Sequence, residues 1–199
     1  KHLQVLVAIM KLRRACCSSS LATPGIVLPS SKLALFGEVL EELLNNRHKA
    51  LVFSQFVGHL QLIRAYLDEE NIAYQYLDGQ TPAAERKKRV DAFQAGLGDV
   101  FLISLKAGGV GLNLTAADYV IHMDPWWNPA VEDQASDRAH RIGQQRPVTI
   151  YRLIAKDTIE EKIVALHRHK RDLADSVLSG SEAGGKIGTE ELLRLIREV

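Results

Sequence analysis

Short apolar runs alternate with helical patterns along most of this chain, and that alternation restricts its folding more than any other feature. Ala50 to Ser54, Ala73 to Leu77, Val100 to Ser104, Tyr119 to Met123 and Val148 to Ile154 read as strands. Between them Phe56, Leu60, Ile63 and Leu67 recur at helical spacing, and a second helix is expected from Thr81-Pro82 to Gly96. Strands separated by helices pair in parallel and need cover on both faces, so the expected fold class is α/β, a parallel sheet with helices on both sides. Open sheets of this kind bind ligands beyond the carboxyl ends of their strands. The loops after Ser54, Leu77, Ser104 and Met123 are therefore the places to look for a site.

The flanks follow the same logic. Leu3, Leu6, Val7, Met10, Arg13 and Arg14 keep a helical rhythm over residues 3–17, which Ser18-Ser19-Ser20 breaks before a Pro24-Gly25 turn. Ser31 is expected to cap a helix carrying Leu33, Phe36, Leu40 and Leu43. Past the sheet, Thr158 and Glu161 make a capping-box pattern, and Ile159, Ile163, Leu166, Leu173 and Val177 give the helix that follows an apolar side. Ser179 to Gly188 reads as a linker and Glu190 to Val199 as a short amphipathic segment. The expected organisation is a leading helix and loop over residues 1–30, the sheet lobe over 31–156, a bracing helix over 157–178, and a linker with terminal helix over 179–199. With 46% hydrophobic and 25% charged residues, 199 residues suffice for one sizeable core. A first residue of Lys1 rather than Met suggests a piece of a longer chain.

The densest stretch runs from Asp124 to Arg146. Asn128 before Pro129 is a helix start, because Asn caps free N–H groups and proline at the first helical position loses no needed donor. Continued as a helix, the spacing puts Gln134, Arg138 and Arg141 on one face, beside an apolar stripe of Val131, Ala135, Ala139 and Ile142. Two readings of the arginines stay open on spacing alone. An exposed Asp137–Arg141 pair is worth about 0.2–1 kcal/mol, whereas an arginine meeting a transferring phosphoryl group contributes about 10³–10⁵ in rate.

Much catalytic chemistry is missing from the sequence. It holds no Gly-x-x-x-x-Gly-Lys-Ser/Thr phosphate loop, no His-Glu-x-x-His and no Cys-x-x-Cys, and its scattered histidines lack metal-ligand spacing, so no metal site is expected. Gly108, Gly109 and Gly111 alone indicate only a tight turn. Adjacent Cys16 and Cys17 suit helix packing in a reducing, intracellular compartment. No run approaches the roughly 20 apolar residues of a membrane span, so no membrane partner is expected. A net charge of +1 excludes a globally basic coat protein. The basic clusters at Arg86 to Arg89, Arg138 to Arg146 and His167 to Arg171 can each be a solvated face or part of a binding stripe. Trp126 and Trp127, flanked by Pro125 and Pro129, suit a stacking surface and a rigid packed turn equally.

Taken together and in order, five segments resemble the carboxy-terminal lobe of the Swi/Snf family of helicase-like DNA translocases, its bacterial members most closely. They are Lys49-Ala-Leu-Val-Phe-Ser-Gln-Phe56, Leu77-Asp-Gly-Gln-Thr81, Ile103-Ser-Leu-Lys-Ala-Gly-Gly-Val-Gly-Leu-Asn-Leu114, Asp124-Pro-Trp-Trp-Asn-Pro129 and Gln134-Ala-Ser-Asp-Arg-Ala-His-Arg-Ile-Gly-Gln144. The resemblance runs from about Leu12 to about Leu178. It implies a RecA-like second lobe with a carboxy-terminal helical extension, in a motor that holds ATP and Mg²⁺ mainly on an amino-terminal RecA-like lobe of the same protein. It implies arginine fingers at Arg138 and Arg141, nucleotide contacts at Gln134, Gly109, Gly111 and Asn113, and DNA contacts at Gln55, Gly79, Thr81, Arg86 and Lys106. A motor stepping over any sequence must grip the double-stranded DNA backbone rather than base edges, and the free N–H groups of the helix starting at Pro82 suit a phosphate.

The same resemblance implies that residues 157–178 brace against the first lobe and that a bacterial member works in the cytoplasm at the nucleoid; it leaves the physiological target open between a nucleosome-like complex, RNA polymerase and another DNA-bound complex. Without a phosphate loop or an acidic magnesium-binding motif, the 199 residues should not turn over ATP alone. Lys106 stands where many members carry Arg, keeping charge but losing bidentate geometry, and Ser18-Ser19 stand where the family often has His-Pro. The competing reading is a non-catalytic interaction module that keeps the lobe's fold.

Overall fold

Five strands build one sheet in the order β2-β3-β1-β4-β5, and every neighbouring pair is parallel. The computed structural model describes residues 2–107 and 111–178, together with Glu190, Leu193, Arg194 and Arg197. In chain order the elements are α1 (His2–Cys17), α2 (Ser19–Ala22), α3 (Ser31–Asn45), β1 (Ala50–Ser54), α4 (Val57–Glu69), β2 (Tyr74–Leu77) and α5 (Ala83–Gln94). They continue with β3 (Val100–Ser104), β4 (Tyr119–His122), α6 (Pro129–Ser136), β5 (Thr149–Arg152) and α7 (Ile159–Leu178). The expected α/β architecture is what forms, with β1 and β3 at their expected bounds and β2, β4 and β5 one to three residues shorter than expected. The linker expected at residues 179–188 lies outside the described residues, as does most of the terminal segment.

The period-two geometry of a strand sorts each buried run into two cores. Ala50, Val52, Val100, Leu102, Ile121 and Met123 face one side, where Phe36, Leu40 and Leu43 of α3 and Leu60, Ile63 and Leu67 of α4 cover them. Leu51, Phe53, Phe101, Ile103 and Val120 face the other, beneath Phe93 of α5 and Ala135 of α6. A fully buried Leu, Ile or Phe contributes about 1.5–3 kcal/mol, so central strands β1 and β3, buried at every position, anchor the lobe. A third cluster joins α1 to α7 through Ile9, Ile159 and Ile163, with Trp127 packed on it.

Capping differs in detail from the sequence pattern. Ser30, not Ser31, caps α3: its hydroxyl accepts from the Leu33 N–H at 3.1 Å and donates to the Cys17 carbonyl at 2.8 Å. The serine stretch also does not simply break the chain. After an extended Ser18 it forms the short α2, and the Ser19 hydroxyl donates to the Ile26 carbonyl and accepts from Leu28 N–H, closing the Pro24-Gly25 turn. At α7, Thr158 accepts from Glu160 N–H at 3.1 Å while the Glu161 carboxylate accepts from Asp157 N–H at 3.1 Å, a capping box displaced by one residue. Lys32 and Glu160 tie α3 to α7 in a buried ion pair. Among the described residues no helix is long and apolar enough to cross a membrane.

Candidate functional site

Parallel pairing puts the carboxyl ends of all five strands on one edge, where the loops after β1, β2, β3 and β4 gather. The loop after β1 is held by the buried Asp124: its carboxylate accepts from the Ser54 hydroxyl and from Gln55 N–H at 3.2 Å. Burial alone would raise the Asp124 carboxyl, but attraction from His59 and the Ser54 hydrogen bond outweigh it and hold the group below the ordinary carboxylate range. Cys17, His59 and Asp124 bring ligand-type atoms within 4.8 Å of one another. Burial pushes the Cys17 thiol strongly up, which favours its protonated form.

The two tryptophans belong to a packed turn. Arg13, only 1% exposed, donates to the Pro125 carbonyl at 3.0 Å and lies 5.6, 5.6 and 5.1 Å from the rings of Phe56, Trp126 and Trp127. Trp126 N–H donates to Glu132 at 2.9 Å, and the His167 ring contacts the Trp126 carbonyl. Glu132 in turn receives Arg152 from β5. The helical rhythm includes Arg13 but gives it no role; the one sequence signal for its cage is an aromatic pair needing a partner.

Helix α6 starts as expected, with the Asn128 side chain accepting from Ala130 N–H and Pro129 in the first turn. It ends at Ser136 rather than running through Ile142. Beyond Ser136 the backbone tightens into short-range turns, and the Arg138 carbonyl is taken by Leu114 N–H at 3.0 Å instead of a helical partner. The apolar stripe is cut accordingly: Ala135 and Ala139 are buried, Val131 is half-buried, and Ile142 is 104% exposed.

Gln134, Arg138 and Arg141 are nevertheless brought together, lining an open hollow of about 540 Å³ with Asp137, His140 and Ile142. Arg138 is 6% exposed and its Nε is buried with no acceptor. Burial, then repulsion from Arg141, pull its guanidinium below the usual range against the opposing pull of Asp137. Two guanidinium groups thus face one carboxylate, Asp137, in the hollow, so an arriving anion is favoured. Arg141 donates to the Leu112 carbonyl at 2.9 Å, and Gln144 reaches the carbonyls of Thr115, Ala117 and Ala139. These bonds fasten the arginine turn to the loop that contains Gly111 and Asn113. Gly111 has φ +99° with open space around it, so the backbone angle rather than crowding calls for glycine. Gly109 lies outside the described residues.

The residues expected to meet DNA divide into two groups. Gln55 and Lys106 line one hollow. Gly79 is exposed, and the buried Thr81 hydroxyl accepts from Asp78 N–H at 3.0 Å, closing its own loop. Arg86 differs most from expectation. Its guanidinium donates to the carbonyls of Thr81, Ala107 and Asp78 at 2.9, 3.2 and 3.3 Å, so it staples the loop after β2 to the loop after β3. Helix α5 begins at Ala83 behind Pro82.

Comparison with known proteins follows the same lines. Residues 31–143 match the helicase conserved C-terminal domain family. An uncharacterized ATP-dependent helicase of Mycoplasma pneumoniae is 41% identical over 193 residues, 96% of this chain and 19% of that protein. A chromatin-remodeling ATPase INO80 of Emericella nidulans is 46% identical over 160 residues, 80% of this chain and 10% of its own length. The chain thus spans a fifth or less of these relatives. Among solved structures, the SWI2/SNF2 ATPase core domain of Sulfolobus solfataricus is similar with a TM-score of 0.79 and 35% identity, covering 99% of this chain and 41% of that one. The C-terminal part of the Fun30 ATPase domain gives a TM-score of 0.67 and 34% identity over 79% of this chain and 53% of its own.

Proposed function

The chain belongs to the helicase conserved C-terminal domain family, and from that premise we propose that it is the second motor lobe of an ATP-driven double-stranded DNA translocase of the Swi/Snf type. An amino-terminal RecA-like lobe supplies the phosphate loop and holds most of ATP and Mg²⁺. This lobe supplies Arg138 and Arg141 to the γ-phosphoryl group, Gln134 and the loop around Gly111 and Asn113 to the nucleotide's edge, and part of a DNA backbone track. Gln55, Gly79 and Lys106 meet the backbone directly. Thr81 and Arg86 hold the track's loops in place. The target is RNA polymerase or another DNA-bound complex, and the setting is intracellular, at the nucleoid in a bacterium.

The observation that carries this reading is the buried Arg138, its Nε without an acceptor, beside Arg141 in one hollow. Preorganised cations stabilise charge that develops during phosphoryl transfer, because they need no reorganisation at that moment. Each domain closure would bring these arginines to the phosphate and each opening would withdraw them. In the complete protein, Arg141→Ala should reduce DNA-stimulated ATP hydrolysis by about 10³-fold or more, or about 4 kcal/mol, with DNA affinity nearly kept. Unchanged turnover would remove the finger role. The 199 residues alone should not hydrolyse ATP.

A further inference from the structure

Two side chains not assigned to DNA above share the hollow of Gln55 and Lys106. Arg14, from the last turn of α1, and Trp126 line the same space of about 450 Å³, a volume within the range of small-ligand sites. Adjacent arginines on α1 have opposite fates. Arg13 is buried in its aromatic cage, while Arg14 is exposed and makes no hydrogen bond or ion pair among the described residues, with its guanidinium 5.9 Å from the Phe56 ring.

Among the described residues no carboxylate lines this hollow, and it holds two cations, Arg14 and Lys106. Gln55 adds a side-chain amide whose Nε2 is buried without an acceptor. Phe56 and Trp126 provide flat apolar wall. Paired cations and a free N–H donor suit a phosphate, and an apolar wall beside them suits the sugar attached to it.

We propose that Arg14, with Gln55, Lys106 and Trp126, forms a phosphodiester subsite that grips one backbone unit of DNA and extends the track from the sheet loops onto α1. The subsite rests on the DNA-track reading of Gln55 and Lys106 given above. Arg14 is its distinguishing member, because it is supplied by the helix preceding the matched domain rather than by a strand-end loop.

The test is the salt dependence of duplex DNA affinity in the complete protein carrying this lobe. Each phosphate contact contributes about 0.9 to the slope of log affinity against log salt. Arg14→Gln should lower that slope by about one contact, Arg14→Lys should keep it, and an unchanged melting temperature would establish that the exposed substitution leaves the fold intact. A slope unchanged by Arg14→Gln but lowered by Lys106→Gln would overturn the subsite and leave the track standing. Slopes unchanged in both variants would overturn the track reading as well. ATP affinity measured without DNA should be equal in Arg14→Gln and the parent; a loss there would assign the hollow to nucleotide and overturn the proposal.

Discussion

Replacing Lys32 with Met should be among the more damaging single changes outside the hydrophobic cores. Lys32 Nζ sits 2.5 and 2.8 Å from the two oxygens of Glu160, and the side chains are only 3% and 1% exposed. One Glu160 oxygen also accepts from Ala155 N–H at 2.9 Å. Lys32→Met leaves that carboxylate buried beside one backbone donor, a loss of about 3–5 kcal/mol. At about 2–4 °C per kcal/mol for a domain this size, melting should fall by about 6–20 °C. Replacing both partners with apolar residues of similar volume should recover most of it, since a buried pair is often no better than good packing.

The loss should also depend on pH. Burial raises the Glu160 carboxyl above its ordinary value even against the attraction of Lys32 and the Ala155 hydrogen bond. A folded state that keeps a proton the unfolded chain has released loses stability as pH rises through that window. Without Lys32 the carboxyl should rise further, so the variant should recover on acidification towards the ordinary carboxylate range and be weakest near neutrality. Thermal melts across pH would check this. A cost below about 1 kcal/mol, the value of an exposed pair, with no pH trend would refute the argument.

Arg13→Lys should cost about 1.5–3 kcal/mol in denaturant unfolding, the scale of a lost hydrogen bond to a charged group, because an ammonium lacks the planar fork that stacks between the rings and reaches the Pro125 carbonyl. Tryptophan fluorescence should change with it. Ile142→Ser should shift stability by no more than about 0.5 kcal/mol, as for other exposed positions; a loss above about 1.5 kcal/mol would return Ile142 to the packed helix stripe that its spacing predicts.

Strands β1 and β3 were readable because a fully buried parallel strand is a continuous apolar run, whereas β2 and β5, partly exposed, were readable from their aromatic and β-branched residues between helical patterns. Their ends were less readable, since the apolar run around β5 extends beyond Thr149–Arg152 on both sides. The arginine hollow was legible as residue types, but not as one helix. Periodicity carries on past Ser136, whereas the Arg138 carbonyl is captured by Leu114, a competition between distant segments that spacing cannot register. Arg86 illustrates the same limit. A guanidinium near phosphate-binding loops reads as a phosphate contact, and the fold adds a role that spacing does not show: three of its five N–H donors go to backbone carbonyls. The roles of Arg13 and Arg14 separate only when folding shows which of the two neighbours is enclosed.

The central claim, that this lobe completes an ATP site with preorganised arginines, is tested most directly by affinity for a transition-state mimic. In the complete protein bound to DNA, ADP with aluminium fluoride and Mg²⁺ should bind far more tightly than ATP, and Arg138→Ala and Arg141→Ala should each abolish most of that preference while changing ATP affinity little. Equal loss of mimic and ATP binding would make the arginines ground-state ligands only, and an undiminished preference in both variants would contradict the account.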